Sequence, residues 1–260
     1  MKNPPLVTVI MPAYEAERFL EEAVRSVVDQ TVTDWELLIL EDCAKDGTLA
    51  LAEKLAAEDV RIKLLKNDKN MGVAKTRNRG FALARGKYVA LLDSDDVWYP
   101  EKLEKQIALA EKTGADVIYC SYGMMDEQGN KKCADFIVPE KTDFKSSLIK
   151  SVISCSTALL SREIVEKYRF REEYYHEDLV LWLEILGDGY RACGVTDVLA
   201  QYRILDSARS SDKIRCAVHR WPVYRKFLGY SPRKSLSLIM QYGLLGVLKY
   251  RAGTDHGKSE

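Results

Sequence analysis

Three carboxylates fall within four positions in Leu91-Leu92-Asp93-Ser94-Asp95-Asp96, directly after an apolar run. Alternate side chains of an extended chain share a face, so Asp93 and Asp95 are expected to point the same way. Two carboxylates converging at a strand end repel unless a cation sits between them. A hard divalent ion, Mg²⁺ or Mn²⁺, is the natural partner: it takes one or two carboxylates and leaves its other positions to water and phosphate oxygens. The spacing points to a site for a metal and a diphosphate. The plainer alternative is a solvated acidic loop, or a helix N-cap ahead of Pro100. A second acidic pair, Glu177-Asp178 after His176, opens the apolar stretch LVLWLEIL. Acids in a first helical turn are ordinary complements of the helix dipole. Placed beside a substrate hydroxyl, one of them can instead serve as a general base.

Two further groups sit where they could assist. Asn70 to Gly80 puts Gly72 at a helix start, followed by Lys75, Arg77 and Arg79. A helix N-terminus with nearby cations favours a bound anion, although the cations could simply form a solvated face. Pro12-Ala13-Tyr14-Glu15 and Glu41-Asp42 each follow an apolar run. Neither G-x-G-x-x-G nor G-x-x-x-x-G-K-[ST] occurs, so NAD-type and P-loop readings lose their main support.

The elements that must hold these residues alternate. Leu6–Met11, Trp35–Leu40, Arg61–Leu65, Tyr88–Leu92 and Ala115–Tyr119 read as strands. Ala16–Gln30, Asp46–Glu58, Gly72–Ala84 and Pro100–Lys112 read as helices between them, with Asp46 a candidate N-cap. This alternation predicts an α/β domain with a mostly parallel central sheet flanked by helices. The ligand is expected beyond the carboxyl ends of the strands, where residues 12–15, 41–42 and 93–96 collect. Beyond residue 120 the pattern loosens. Cys155–Leu160, Arg191–Val195 and Val198–Tyr202 read as short strands, Glu177–Leu186 as a buried helix, and Ile214–Leu228 and Ser235–Tyr250 as closing helices.

Composition sets the outer limits. The 260 residues are 47% hydrophobic and 30% charged, which suits a folded chain and excludes general disorder. The 39 basic and 39 acidic side chains cancel, which argues against nucleic-acid binding by the whole surface. The balance is uneven, however. Residues 213–254 carry nine Lys and Arg and no acid, interleaved with Trp221, Tyr224, Phe227, Tyr230, Tyr242 and Tyr250. Such a stretch suits an anionic lipid surface, or it is a pair of helices packed on the main domain with solvated cations. The six cysteines form no C-x-x-C pair, so free thiols in a reducing cytosol are expected. No segment reads as a signal peptide or a membrane span.

Taken together, these residues resemble the family 2 glycosyltransferases with the GT-A fold. The matching segments run in family order: Val9 to Glu15, Glu41-Asp42 before Asp46-Gly47-Thr48, Asn70-Met71-Gly72, Lys75 to Gly80, Ala84 to Tyr88, Leu91 to Asp96 and His176-Glu177-Asp178. Within the family the chain looks most like the small bacterial enzymes that build capsule, teichuronic-acid or lipopolysaccharide chains. The resemblance implies a catalytic domain over 1–212, with a nucleotide half to about 120 and an acceptor half beyond it. Residues 213–260 would be a basic, aromatic helical extension. It also implies roles. Pro12, Ala13, Tyr14, Glu15 and Asp42 would hold the nucleobase of a nucleotide-sugar donor, most often uracil, with Arg77 adding a nucleotide contact. Asp93, Ser94 and Asp95 would form the D-x-D element. Asp95 would be the direct metal ligand with Asp93 beside it, and Asp96 is open to the same role. Asp178 would be the catalytic base and Glu177 its neighbour orienting a saccharide or lipid-linked acceptor. Without a signal peptide or membrane span the chain is expected in the cytoplasm, with peripheral contact at the inner membrane face left open by residues 213–254.

The chain departs from the family pattern in two places. The usual Asp-Asp and following Gly-Ser are Glu41-Asp42 and Cys43-Ala44. No His follows Tyr202-Arg203, while Ser207–Ser211, with Arg209, is expected to close as a loop. Two other classes compete. Asp93-Ser94-Asp95-Asp96-Val97 also fits the D-x-D-x-[T/V] pattern of haloacid-dehalogenase-like phosphatases, with Asp93 as nucleophile, although those place it after the first strand. A non-catalytic sugar-nucleotide-binding protein would keep the fold but needs no acids at 93, 95 and 178.

Overall fold

A computed structural model describes residues 3–205 and 213–254. The first half alternates as the sequence predicts. β1 (Val7–Ala13), α1 (Leu20–Val28), β2 (Trp35–Glu41), α2 (Thr48–Glu58), β3 (Ile62–Lys66), α3 (Val73–Leu83) and β4 (Tyr88–Leu91) follow one another. A two-residue strand, β5 (Val97–Trp98), then precedes α4 (Lys102–Thr113). The second half contains β6 (Val117–Met125), β7 (Lys131–Phe136), β8 (Lys141–Thr142), α5 (Phe144–Ser147), a 3-10 turn (Cys155–Thr157), β9 (Leu159–Ser161), α6 (Arg162–Lys167), α7 (Glu177–Gly187) and β10 (Ala192–Arg203). α8 (Lys213–Pro222), a π-helical turn (Val223–Phe227) and α9 (Pro232–Thr254) complete the described chain.

The described strands all join one sheet, ordered β3-β2-β1-β4-β9-β6-β10-β5, with β7 on β6 and β8 on β10. The expected parallel pairing holds for β3-β2-β1-β4 and for β6 with β10. β9 runs antiparallel between β4 and β6, and β5, β7 and β8 also pair antiparallel. These are short strands reached by loops rather than by crossover helices, so nothing forces them parallel. The segment Cys155–Leu160 divides into the 3-10 turn and β9. The two strands expected over 191–202 form one strand with a bulge between Val195 and Ala200.

Period-2 alternation explains how the sheet is covered. In β1, Val7, Val9 and Met11 join a cluster with Leu20, Ala23, Val24 and Val27 of α1, whereas Ile10 faces a second cluster with Phe81 of α3. Gly80 lets α3 come this close: a Cβ there would lie 2.6 Å from the Ile10 side chain. α2 begins one residue after Gly47, yet Asp46 still caps it, accepting from the Thr48 N–H and hydroxyl at 3.0 and 2.5 Å. A third cluster joins α7 to the C-terminal elements through Leu179, Val180, Leu183, Val223, Tyr224 and Leu238.

Candidate functional site

The carboxyl ends of β1, β2 and β4 lie side by side, with Ala13 paired to Glu41 and Ile10 to Leu91. Two residues beyond these ends, Glu15 (φ 51°) and Cys43 (φ 57°), adopt the left-handed conformation that glycine usually supplies. Each costs about 1–3 kcal/mol, and such strain gathers at ligand-binding loops. Cys43 stands where the resemblance leads one to expect glycine. Tyr14 stands 43% exposed at this rim. A hydrogen bond with Glu15 raises its phenol pKa.

Asp42 is buried, and its backbone N–H donates to Ala13 O at 2.9 Å. Its Oδ1 accepts from Asn67 Nδ2 (2.7 Å) and the Met71 N–H (2.8 Å), and its Oδ2 accepts from the Gly72 N–H (2.8 Å). The anion expected at the start of α3 is therefore this carboxylate. With two lone pairs per oxygen, Oδ2 keeps one acceptor site. Gly72, at φ 81°, turns the chain into α3. The three cations of α3 are engaged as well. Lys75 pairs with Glu172 at 2.5 Å, and Arg79 donates to Asn67 Oδ1 and Lys66 O.

Arg77 occupies the centre. Its buried guanidinium lies over the Phe170 ring and donates to Asp93 Oδ1 at 2.5 Å and to Glu177 Oε1 at 3.3 Å. Despite burial, the two carboxylates hold its pKa above the ordinary arginine value. Where the resemblance implies a nucleotide contact, the geometry gives Arg77 a bridge between the acids after β4 and those at the start of α7. Glu177 is buried beneath this bridge. Asp178, beside it, is half-buried, and its Oδ1 accepts the Leu179 N–H at 2.7 Å.

The acidic segment departs from simple alternation. β4 ends at Leu91, and Asp93–Asp96 form a turn closed by the Asp96 N–H donating to Asp93 O at 3.1 Å. The expectation that Asp93 and Asp95 align as in a strand is thus corrected: turn geometry, not pleat, brings them together. Asp93, Ser94 and Asp95 stay half-buried, while Asp96 is buried and accepts the Arg203 N–H at 2.8 Å. Burial, then the charge of Asp93, pushes Asp95 up to about 6. Burial, then Asp95 and Asp93, raises Asp96 well above the carboxylate range. This like-charge crowding of hard oxygen donors fits a divalent cation. Among the described residues no three His, Cys, Asp or Glu side chains converge as a closed metal cage.

Two supports were not legible in the sequence. Arg203, at the end of β10, is buried over the Phe19 ring. It donates to Asp95 O (2.8 Å), Asp126 O (3.2 Å), Glu127 O (3.3 Å) and Glu22 Oε2 (2.5 Å). It thereby fixes the acidic turn from beneath. Ser156 accepts the Asp93 N–H at 3.1 Å, and its own carbonyl accepts Trp98 Nε1 at 2.7 Å. A lone arginine after a strand and a serine in a loop carry no spacing signal. The loop expected over Ser207–Ser211, with Arg209, lies outside the described residues.

With this geometry in place, comparison with known proteins is decisive. The family model described as glycosyl transferase family 2 matches residues 8–169. The chain belongs to glycosyltransferase family 2. It is 34% identical over 94% of its length, and 97% of the relative's, to TuaG of Bacillus subtilis (strain 168), a glycosyltransferase named for teichuronic acid biosynthesis. It is 33% identical over 97% of its length, and 98% of the relative's, to WfgD of Escherichia coli. That relative is named a UDP-Glc:alpha-D-GlcNAc-diphosphoundecaprenol beta-1,3-glucosyltransferase. Among solved structures, S. aureus TarS 1-349 in complex with UDP-GlcNAc superposes with a TM-score of 0.72 at 19% identity, covering 91% of this chain and 71% of that one. A Pyrobaculum calidifontis mannosyltransferase in complex with GDP-Man and Mn²⁺ superposes with a TM-score of 0.70 at 18% identity, covering 92% and 69%. These likenesses show that this family 2 glycosyltransferase has the GT-A fold. Nothing in them supports a haloacid-dehalogenase-like phosphatase.

Proposed function

We propose that this glycosyltransferase performs an inverting transfer of a sugar from a nucleotide-diphosphate donor, a UDP-sugar, to a saccharide or lipid-linked saccharide acceptor in cell-surface polysaccharide synthesis. The observation that carries the reading is the Arg77 bridge, which ties the D-x-D turn to the Glu177-Asp178 pair. The relative named for UDP-glucose and a diphosphoundecaprenol acceptor supports the choice of donor and acceptor classes.

The free acceptor site on Asp42 Oδ2 takes the nucleobase ring N–H, and Tyr14 at the rim covers the base. Asp95, with Asp93 beside it, would hold Mn²⁺ or Mg²⁺. Bound there, the ion supplies charge neutralisation for the departing nucleoside diphosphate. Asp178 accepts the proton of the acceptor hydroxyl as its oxygen bonds to the anomeric carbon. The bond from that carbon to the phosphate oxygen breaks, and its electron pair leaves with the nucleotide. Arg77 holds Glu177 and Asp93 in register, so that acceptor and donor meet at a fixed spacing. A lipid-linked acceptor requires this chemistry to run at the cytoplasmic membrane face.

A screen of UDP-, GDP- and dTDP-sugars by thermal shift tests the donor. With Mn²⁺ and ligand at about 100 times its Kd, a UDP-sugar stabilises the chain by about 2.7 kcal/mol. Asp95→Ala abolishes the metal-dependent part of that shift. Absence of any metal-dependent shift with all three nucleotides would sink the proposal.

A further inference from the structure

α9 carries apolar residues on two faces. Its inner face packs Leu238 and Ile239 into the cluster shared with α7, and Tyr242 lies against the buried Arg220 guanidinium. Its outer face shows Leu236 (53% exposed), Met240 (66%) and Leu244 (62%). These positions, four residues apart, stack along one side of a helix. Exposed Arg233 and Lys234 stand at the start of the same helix. Val218 and Trp221 of α8 add further exposed apolar surface, with exposed Lys226 in the turn that follows.

A helix needs one apolar face to pack on its own domain, so a second apolar stripe calls for another covering. Charge indicates what that covering is. Residues 213–254 hold nine cations and no acid, while the rest of the chain sums to minus nine; Arg220 is engaged in the interior by Leu148 and Ser151, whereas Lys226, Arg233 and Lys234 are exposed. A second copy packed stripe against stripe would bring the same unbalanced positive charge to both sides of the contact. A surface of anionic lipid headgroups supplies both the missing negative charge and an apolar layer for Leu236, Met240 and Leu244. No helix among the described residues is long and apolar enough to cross a membrane, so contact would be by lying on it.

We propose that the outer stripe of α9, Leu236, Met240 and Leu244 with Arg233 and Lys234, docks the enzyme on an anionic lipid surface. This gives the lipid-linked reading above its physical footing, and it is tested without donor, acceptor or turnover, so the two fail separately. The full chain is mixed with phosphatidylglycerol-containing or pure phosphatidylcholine vesicles and floated on a density gradient. The expected result is flotation with the anionic vesicles only, lost in high salt. Leu236→Ser/Met240→Ser/Leu244→Ser should cut the bound fraction about tenfold with an unchanged circular dichroism spectrum and UDP-sugar thermal shift. Should that variant misfold, Arg233→Gln/Lys234→Gln gives the same reading through weakened, less salt-sensitive flotation. Wild-type protein that floats with neither vesicle overturns the proposal. So does a folded triple variant that floats as well as wild type. Light scattering that shows a wild-type dimer, a monomeric triple variant and no lipid binding would assign the stripe to a second copy instead.

Discussion

Asp178→Asn should lose about 10²–10⁴-fold in transfer rate while donor affinity, measured by calorimetry with Mn²⁺, stays at the wild-type level. The side chain accepts one hydrogen bond, from the Leu179 N–H. An asparagine carbonyl oxygen can accept the same bond, so the first turn of α7 is retained. What the amide cannot do is take a proton from an attacking hydroxyl. Glu177 is no substitute, because it is buried and bound to Arg77. Transfer at the wild-type rate by a folded Asp178→Asn would move the base elsewhere.

The second large effect belongs to Arg77. Arg77→Met leaves Asp93 and Glu177 facing each other across a largely buried site without their cation. Breaking a buried ion pair in this way costs about 3–5 kcal/mol, a figure reduced here because the Asp93 side chain is 30% exposed. The melting temperature should fall, and kcat should fall about 100-fold as the acceptor and donor acids lose register. Arg77→Lys separates positioning from folding. A lysine restores one positive charge but cannot span both carboxylates as the planar guanidinium does. It should therefore recover most of the stability and little of kcat. Equal recovery of both would make Arg77 a purely structural cation.

The nucleotide half is legible in the sequence because its strands are short, mainly apolar runs and its helices keep a 3.6-residue period. Val7–Ala13, Trp35–Glu41 and Tyr88–Leu91 carry little but strand-forming residues between clear turn signals. β5 carries no sequence signal because two residues have no period. The direction of β9 was hidden because a three-residue strand says nothing about its partners. The site divides along similar lines. Asp42, Asp93, Asp95 and Asp178 could be picked out because acids following apolar runs are conspicuous. Arg203 and Ser156 could not, since their importance lies in contacts far away in sequence: Glu22, Asp95, Asp96, Asp126 and Glu127 for Arg203, and Asp93 for Ser156. Arg77 was visible as a cation, but its pairing across the 100 positions to Glu177 required the fold. The tail posed a choice between packing and a lipid-facing surface. The structure gives α9 a packed inner face and leaves a second, exposed apolar face beside it.

The anomeric configuration of the product tests the central claim most directly. With a UDP-sugar of α configuration and a matched acceptor, proton NMR of the new linkage reports whether the anomeric centre has inverted. Direct attack by a hydroxyl deprotonated by Asp178, opposite the departing nucleotide, predicts a β linkage. An α linkage would show retention and contradict the assignment of Asp178 as the base of a single displacement.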